Sequence, residues 1–126
     1  MTTLAPYSLF SSYLIIITAL YLIKIKGYTN LNLSLLLLGI TSSIHHSRLN
    51  KWWINDIWKY LDYIAILIFL VLGFDKFKYD LYWLLLILYS VLVSCLINFN
   101  FISIQYVPIL HSTIHICLCI FMLYKS

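Results

Sequence analysis

The amino-acid sequence predicts an all-α fold: a polytopic membrane bundle of about five transmembrane helices, forming a single domain over residues 1–126. Two observations lead to this prediction. Of the 126 residues, 63% are hydrophobic and only 10% are charged, whereas roughly 25% of the residues in a soluble domain are charged. The apolar residues also fall into five stretches, each near the roughly 20 residues that a helix needs to cross a membrane. Only helices satisfy their own backbone hydrogen bonds in lipid.

Loop signals separate the five predicted helices. "KIKGYTN" at 24–30 has the Lys, Gly and Asn of a helix stop, and "DKFKYD" at 75–80 carries four charges in six residues. "NFN" at 98–100 is the least marked boundary. We expect the first helix to remain as a span, because it lacks the basic start and A-x-A-like exit of a cleaved signal peptide. The predicted helices are at about residues 7–25, 31–46, 57–74, 81–97 and 99–124.

Aromatic and basic residues indicate how the helices lie in the membrane. Amphipathic rings prefer the interface, and the side with more Lys and Arg faces the cytosol. We therefore expect a cytosolic C-terminus and an N-terminus outside or in a lumen, in an endomembrane such as the ER or Golgi. The rings near predicted ends are Tyr7, Tyr28, Trp52, Trp53, Trp58, Tyr79, Tyr82, Trp83, Tyr106 and Tyr124. The basic residues are Lys24, Lys26, Lys76, Lys78 and Lys125 on one side, and Arg48, Lys51 and Lys59 on the other.

Charge distribution and cysteine spacing exclude two classes of protein. The net charge of +4 is scattered over separate loops, so we expect no nucleic-acid partner. Cys95, Cys117 and Cys119 are odd in number and have no C-x-x-C spacing, so they indicate neither a disulfide framework nor a zinc ribbon. We expect small buried hydrophobic residues at these positions. The sequence does not indicate an oligomeric state.

Two histidines in "VPILHSTIHICL" mark a candidate site inside the fifth span. His111 and His115 are four residues apart, which puts both on one helix face, about 6 Å apart along the axis. Two imidazoles at this spacing can hold one ion, and ionisable side chains in a span by default mark a site with a partner. Two neutral histidines bonded to neighbouring helices explain an isolated pair equally well. Pro108, one turn earlier, frees a backbone carbonyl and adds little.

A second group of polar residues favours the metal site. Ser42 and His46 share a face near the end of the second helix, and Asp62 lies just inside the third. In a five-helix bundle these segments and the first half of the last helix lie toward the same membrane face, so the side chains can converge with His111 and His115. Three histidines and one open position are the ligand count of a catalytic zinc site. A carboxylate and a hydroxyl nearby would hold the water and the substrate oxygen.

An ordinary hydrated loop is the alternative for part of this group. In that case His45, His46, Arg48 and Asp56 are loop residues, and Asp62 caps the third helix or pairs with Lys59. Thr41 and His45 repeat the spacing of Ser42 and His46 one residue earlier. For His45 and Asp56 we favour the loop. Trp52, Trp53 and Trp58 fit an interfacial anchor, and Ser12, Ser90 and Ser94 fit hydrogen bonds that pack helices together.

These residues resemble the motif set of the CREST superfamily of membrane hydrolases, which includes alkaline ceramidases, adiponectin-receptor-type proteins and GPI-anchor lipid-remodelling factors. Its members share S-x-x-x-H in an early helix, Asp at the start of the next helix, and H-x-x-x-H in the last. This sequence has Ser42-x-x-x-His46, Asp62 and His111-x-x-x-His115 in that order. "HSR" at 46–48 and "KYLDY" at 59–63 most resemble the GPI-remodelling branch, which favours His46 over His45.

The resemblance implies that His46, His111 and His115 bind zinc and that Ser42 and Asp62 complete a catalytic site. The implied reaction is hydrolysis of a lipid amide or ester, with Asp62 as base or water-positioning group. The family usually has seven helices, and the segment between Arg48 and Lys59 is longer than in its pattern. Two further hypotheses stay open: a non-catalytic small membrane subunit, and a b-type haem protein for electron transfer in which histidines of the second and fifth helices bind the haem. Haem needs one ligand on each side of the ring, however, and H-x-x-x-H directs both toward one point.

Overall fold

The computed structural model describes residues 5–47, 57–102 and 106–125; the side chains of residues 5–8, 46, 47, 58, 59 and 98 lie outside this description. The described chain is all-α, which confirms the predicted class, and it has five helices. Their boundaries agree with the predicted ones to within three residues, except at the start of the last helix. The helices are α1 (Ala5–Lys26), α2 (Asn30–Ser47), α3 (Ile57–Phe77), α4 (Leu81–Asn98) and α5 (Val107–Lys125).

The prediction that the last helix starts at residue 99 is wrong, because the chain makes a capped turn there. Asn100 has a left-handed backbone with φ of 59°. Its amide donates to the Ile97 carbonyl at 3.2 Å, and the Phe101 amide donates to the Leu96 carbonyl at 3.0 Å. This is the Schellman pattern of a helix C-terminus. Residues 99–102 therefore belong to the connection, and α5 begins at Val107.

Short capped turns connect the helices at the opposite end. Gly27, at φ 90°, donates its amide to the Ile23 carbonyl at 2.9 Å and ends α1. The Thr29 hydroxyl then accepts the Asn32 amide at 3.1 Å at the start of α2. A left-handed glycine followed by a capping hydroxyl reverses the chain within a few residues. This turn explains why "KIKGYTN" separates the first two helices.

Asp80 ties the α3–α4 turn to the C-terminal helix. Its carboxylate accepts the amides of Tyr82 at 2.8 Å and Trp83 at 3.4 Å as the N-cap of α4, and it lies 3.3 Å from Lys125 Nζ. Burial acts to raise the pKa of Asp80, but the Tyr82 amide, Lys125 and the Trp83 amide outweigh it and lower that pKa below its ordinary 3.8. The end of α5 therefore lies beside the α3–α4 turn.

The helices pack in the order α3, α2, α1, α5, α4, so that α1 lies at the centre and contacts α2 and α5. Gly39 lets α1 and α2 approach closely: a Cβ there would be 2.8 Å from Ile16 Cγ1 and 2.9 Å from the Ile16 amide nitrogen. The outermost helices α3 and α4 are joined by their short turn. They meet through the Trp83 side chain, and their other facing side chains border a cavity.

Trp83 is the third residue of α4, near a helix end as predicted, but its side chain is fully buried inside the bundle and does not face outward. Its ring packs against four phenylalanine rings of α3 and α5, with centroid distances of 5.5–5.9 Å. The backbone of Gly73 in α3 leaves the space that the six-membered part of the indole fills. Trp83 thus stabilises the contact between α3, α4 and α5. The four phenylalanines are Phe69, Phe74, Phe77 and Phe121.

Two of the helices are long and apolar enough to cross a membrane, over Leu9–Lys26 and Val107–Lys125. Leu81–Ile97 in α4 is a shorter apolar helix. The prediction of three buried cysteines is wrong for two of them, since Cys95 and Cys117 are exposed and only Cys119 is buried. The exposed pair lies on the outward, apolar faces of α4 and α5.

Candidate active site

A cavity of about 200 Å³ lies between α2, α3, α4 and α5, and three of the five predicted site residues line it. Asp62 comes from α3, and His111 and His115 come from α5. Most of the other lining side chains are leucine, isoleucine or aromatic. Val91 and Ser94 of α4 also line the cavity and are exposed, so it opens on the outer surface of the bundle. The structure therefore places three ionisable side chains on the wall of an apolar cavity that is open at its side.

Asp62 is buried, with only 3% of its surface exposed. The Thr41 hydroxyl of α2 donates to Asp62 Oδ1 at 3.3 Å, while it also contacts carbonyls of its own helix. Asp62 is the sixth residue of α3, which lies beyond the positions where a side chain caps a helix N-terminus. The capping alternative is therefore wrong. The other alternative, an ion pair between Asp62 and Lys59, involves the Lys59 side chain, which lies outside the described residues.

His111 and His115 form a close pair, with ring centroids 4.4 Å apart and planes at 80°. The Nδ1 atom of His115 is 2.8 Å from the Ser11 hydroxyl of α1. Because α5 begins at Val107, His111 lies in its second turn, closer to the helix end than the sequence indicated, whereas His115 lies near the middle of the helix, as predicted. Pro108 is the second residue of the helix, where its missing N–H removes no helical hydrogen bond. The prediction that it frees a carbonyl is wrong.

Ser42 is fully buried and lies behind the cavity, not on its wall. Its hydroxyl is 2.7 Å from that of Ser12 in α1. Among the described residues that line the cavity, Ser42 is not present. The Ser12 contact agrees with the expectation that this serine joins helices. The same expectation applies to Ser90 and Ser94, and both border the cavity. The Ser90 hydroxyl donates to the Leu86 carbonyl of its own helix.

The third predicted zinc ligand, His46, has a side chain outside the described residues. His45 is half-buried in the last turn of α2. The loop interpretation of His45 is therefore wrong, while Arg48, Trp52, Trp53 and Asp56 lie outside the described residues. Among the described side chains, no three of His, Cys, Asp or Glu come together closely enough to hold a metal ion.

Sequence reasoning missed Ser11 of α1 and did not identify the partner of Ser12. Ser11 and Ser12 are adjacent in the chain, both are buried, and each bonds to a predicted site residue. Small polar residues within an apolar span could have indicated these serines from the sequence. Their hydrogen-bond partners, however, depend on how α1 packs against the other helices. Trp83 was also missed: it borders the cavity, and its Nε1 has no acceptor within the part of the chain that the structure describes.

No family model matches this chain, and no curated protein or solved structure is significantly similar to it.

Proposed function

We propose that all five helices cross a membrane. The support is the outer surface of the bundle, where every helix exposes large apolar side chains, among them Ile17, Leu37, Leu67, Leu88 and Ile120. Soluble monomers rarely expose a contiguous apolar patch larger than a few hundred Å², whereas lipid removes that penalty. Helices of 18 to 22 residues are about 27–33 Å long, close to the ~30 Å hydrocarbon core.

We further propose that the C-terminus faces the cytosol and the N-terminus faces the lumen of an endomembrane. Lysines gather at the end of the bundle that holds the two short turns and the end of α5, where Asp80 contacts Lys125. An excess of positive charge is typical of the cytosolic side. The candidate site lies toward the opposite end. The lysines at the proposed cytosolic end are Lys24, Lys26, Lys76, Lys78 and Lys125.

Within this membrane frame, we propose a zinc-dependent hydrolase that cleaves an amide or ester bond of a lipid. One observation carries the proposal: a buried carboxylate and two adjacent histidines, from two different helices, border one apolar cavity. Burying ionisable side chains in an apolar bundle costs free energy, and residues retained at that cost usually serve a function. The motif order that resembles CREST hydrolases adds the reaction class.

The residues present fit a zinc ion in part. A zinc-bound histidine nitrogen lies about 2.0–2.1 Å from the metal, and rings with centroids 4.4 Å apart are within reach of sharing one ion. His46, beside His45 at the end of α2, supplies the third ligand in this proposal. Two rings so close on one helix cannot flank a haem on opposite faces, which disfavours the electron-transfer alternative. A bound zinc ion would act as a Lewis acid and lower the pKa of a water molecule.

In this proposal Asp62 takes a proton from the attacking water. Thr41 donates to Oδ1, which orients the carboxylate and makes Oδ2 the oxygen that can accept that proton. Ser42 does not line the cavity and its hydroxyl contacts Ser12, so in this proposal it supports the site from α2 without contacting the substrate. The apolar lining excludes bulk water, so that charges inside the site interact more strongly than they would in solution.

The cavity suits part of a lipid and not a whole one. Its volume of about 200 Å³ is below the ~300–1,000 Å³ typical of sites that enclose a drug-sized ligand. The exposed Val91 and Ser94 at its edge give a route from the surrounding lipid between α3 and α4. A lipid chain can then enter sideways, with the scissile bond at the polar end near Asp62 and the remainder still in the bilayer.

The test is the metal content of protein purified in detergent, measured by inductively coupled plasma mass spectrometry. We expect about one zinc per chain in the wild type, and loss of zinc in His46→Ala, His111→Ala and His115→Ala. His45→Ala is the matched control, because it removes a histidine from the same turn of α2. Asp62→Asn should keep zinc and abolish release of fatty acid from lipid extracts. Correctly folded wild-type protein that holds no zinc would contradict the proposal.

A further inference from the structure

Two neighbouring serines of α1 hold two of the proposed site residues, although α1 contributes nothing to the sequence motif. Ser11 Oγ is 2.8 Å from His115 Nδ1, and Ser12 Oγ is 2.7 Å from Ser42 Oγ. Both serines are buried, at 3% and 0% exposure. Because α1 is the central helix and packs against both α2 and α5, it can fix side chains on two partners at once.

The contact between Ser11 and His115 has two possible proton arrangements. A neutral imidazole has one N–H, so Nδ1 either donates to the hydroxyl oxygen or accepts its proton. In the first arrangement the lone pair lies on Nε2, and in the second Nε2 carries the proton. Only the first lets Nε2 bind a metal, because a ligand nitrogen must present its lone pair. The position of one proton therefore decides whether His115 can be a ligand through Nε2.

Other buried hydroxyls in this chain indicate which arrangement is favoured. Ser43 donates to the Gly39 carbonyl and Ser34 donates to the Leu31 carbonyl, each at 2.7 Å and about one turn earlier in the same helix. This is a common use of a serine or threonine hydroxyl proton in a helix. A serine that donates in this way presents only lone pairs to a neighbouring side chain. Ser11 would then accept a proton from His115 Nδ1.

We propose that Ser11 is a positioning residue that holds His115 as the Nδ1–H tautomer, in which Nε2 carries the lone pair that a metal ion would bind. The role toward the metal rests on the proposed function, whereas the tautomer does not. Partners of this kind fix the tautomer and ring orientation of ligand histidines, and their removal typically costs about 10–100-fold in metal affinity.

The experiment reads the tautomer directly in full-length protein that has been stripped of metal with a chelator. Histidines labelled with ¹⁵N are observed by two-bond ¹H–¹⁵N correlation spectra at about pH 8, above the ordinary histidine pKa of ~6.5. His115→Gln assigns the signals. We expect the Nδ1–H form in the wild type and a substantial Nε2–H population in Ser11→Ala. Ser11→Thr, which keeps a hydroxyl, should restore the wild-type spectrum.

Ser12→Ala is the matched control, because it removes the adjacent buried hydroxyl and leaves the Ser11 contact in place. It should not change the His115 tautomer. A zinc titration of the same samples should show affinity about 10–100-fold weaker for Ser11→Ala and near wild type for Ser11→Thr. A wild-type His115 in the Nε2–H form, or a tautomer insensitive to Ser11→Ala, overturns the inference.

The two readouts separate this inference from the proposed function. If the wild type binds no zinc but His115 is Nδ1–H and depends on Ser11, the metal proposal fails and the positioning role stands. If zinc binds at the histidines but the tautomer does not depend on Ser11, the positioning role fails alone.

Discussion

Hydroxyl groups on neighbouring helices fix the polar side chains of the candidate site. Asp62 bonds to Thr41, Ser42 to Ser12, and His115 to Ser11, at distances of 2.7–3.3 Å. A buried polar group without a partner costs about 1–3 kcal/mol, so these contacts remove a penalty and also limit side-chain rotation. The site is therefore defined by pairs of residues, of which only one member belongs to the sequence motif.

Gly73 gives the sharpest prediction at the residue scale. A Cβ at this position would overlap the Trp83 ring, which four phenylalanines hold in place. We expect Gly73→Ala to destabilise the protein by about 1–3 kcal/mol, the usual effect of overpacking. Thermal unfolding in detergent, followed by circular dichroism, measures the change.

Val71→Ala, on the exposed face of the same helix, is the control and should change the stability by less than about 0.5 kcal/mol. If the ring causes the loss, then Trp83→Phe should cost less in the Gly73→Ala background than in the wild type, because contacting residues are not additive. If Gly73→Ala unfolds at the same temperature as the wild type, Trp83 does not pack on α3 in this way.

At the scale of the helix, local capping residues decide where each element stops. The turn after α1 uses left-handed Gly27 and the turn after α4 uses left-handed Asn100, while Asp80 starts α4. Glycine and asparagine adopt the left-handed backbone that often ends a helix. The side chain of aspartate accepts hydrogen bonds from the free amides at a helix start. α5 begins at Val107, which places His111 in its second turn and His115 near its middle.

We expect Asn100→Val to destabilise the protein by about 1–2 kcal/mol, the cost of forcing a side chain with a branched Cβ into the left-handed region. Asn100→Gly is the matched control, since glycine adopts this backbone without strain, and it should be as stable as the wild type or more so. Denaturant unfolding in detergent compares the three proteins. Equal stability of the Val and Gly variants would mean that residue 100 does not have a left-handed backbone in the membrane.

The whole molecule is a curved layer of five helices with α1 at its centre and a lateral opening between α3 and α4. Each helix exposes apolar residues on the outside, and the polar contacts gather inside at one end. Membrane helices gain little from apolar contacts alone, because lipid is as apolar as leucine. If all five helices cross a membrane, as proposed, serine and threonine hydrogen bonds and close contacts at small residues such as Gly39 contribute much of the specificity of packing.

The proposed membrane topology is tested by labelling single cysteines with an impermeant maleimide in sealed vesicles. Tyr28 and Tyr79 lie in the two turns at one end, and Phe101 lies at the other; all three are at least 76% exposed. In a background with the native cysteines replaced by alanine, Tyr28→Cys and Tyr79→Cys should label from the cytosolic side. Phe101→Cys should label only after the vesicles are opened with detergent.

The pattern of labelling distinguishes two kinds of failure. Labelling of Phe101→Cys alone from the cytosolic side would reverse the orientation and leave the number of spans unchanged. Labelling of Tyr79→Cys and Phe101→Cys from the same side would exclude α4 as a span.

The sequence by itself determined the number, type and approximate bounds of the helices, because hydropathy, capping residues and the length of apolar stretches act locally. It also identified Asp62, His111 and His115 as unusual, since ionisable groups in apolar helices are visible without a structure. Only the tertiary structure decided that these three share a cavity, that Trp83 is buried, and that Ser11 bonds to His115 and Ser12 to Ser42. The rotation of one helix against another sets such contacts, and that rotation depends on packing at many residues at once.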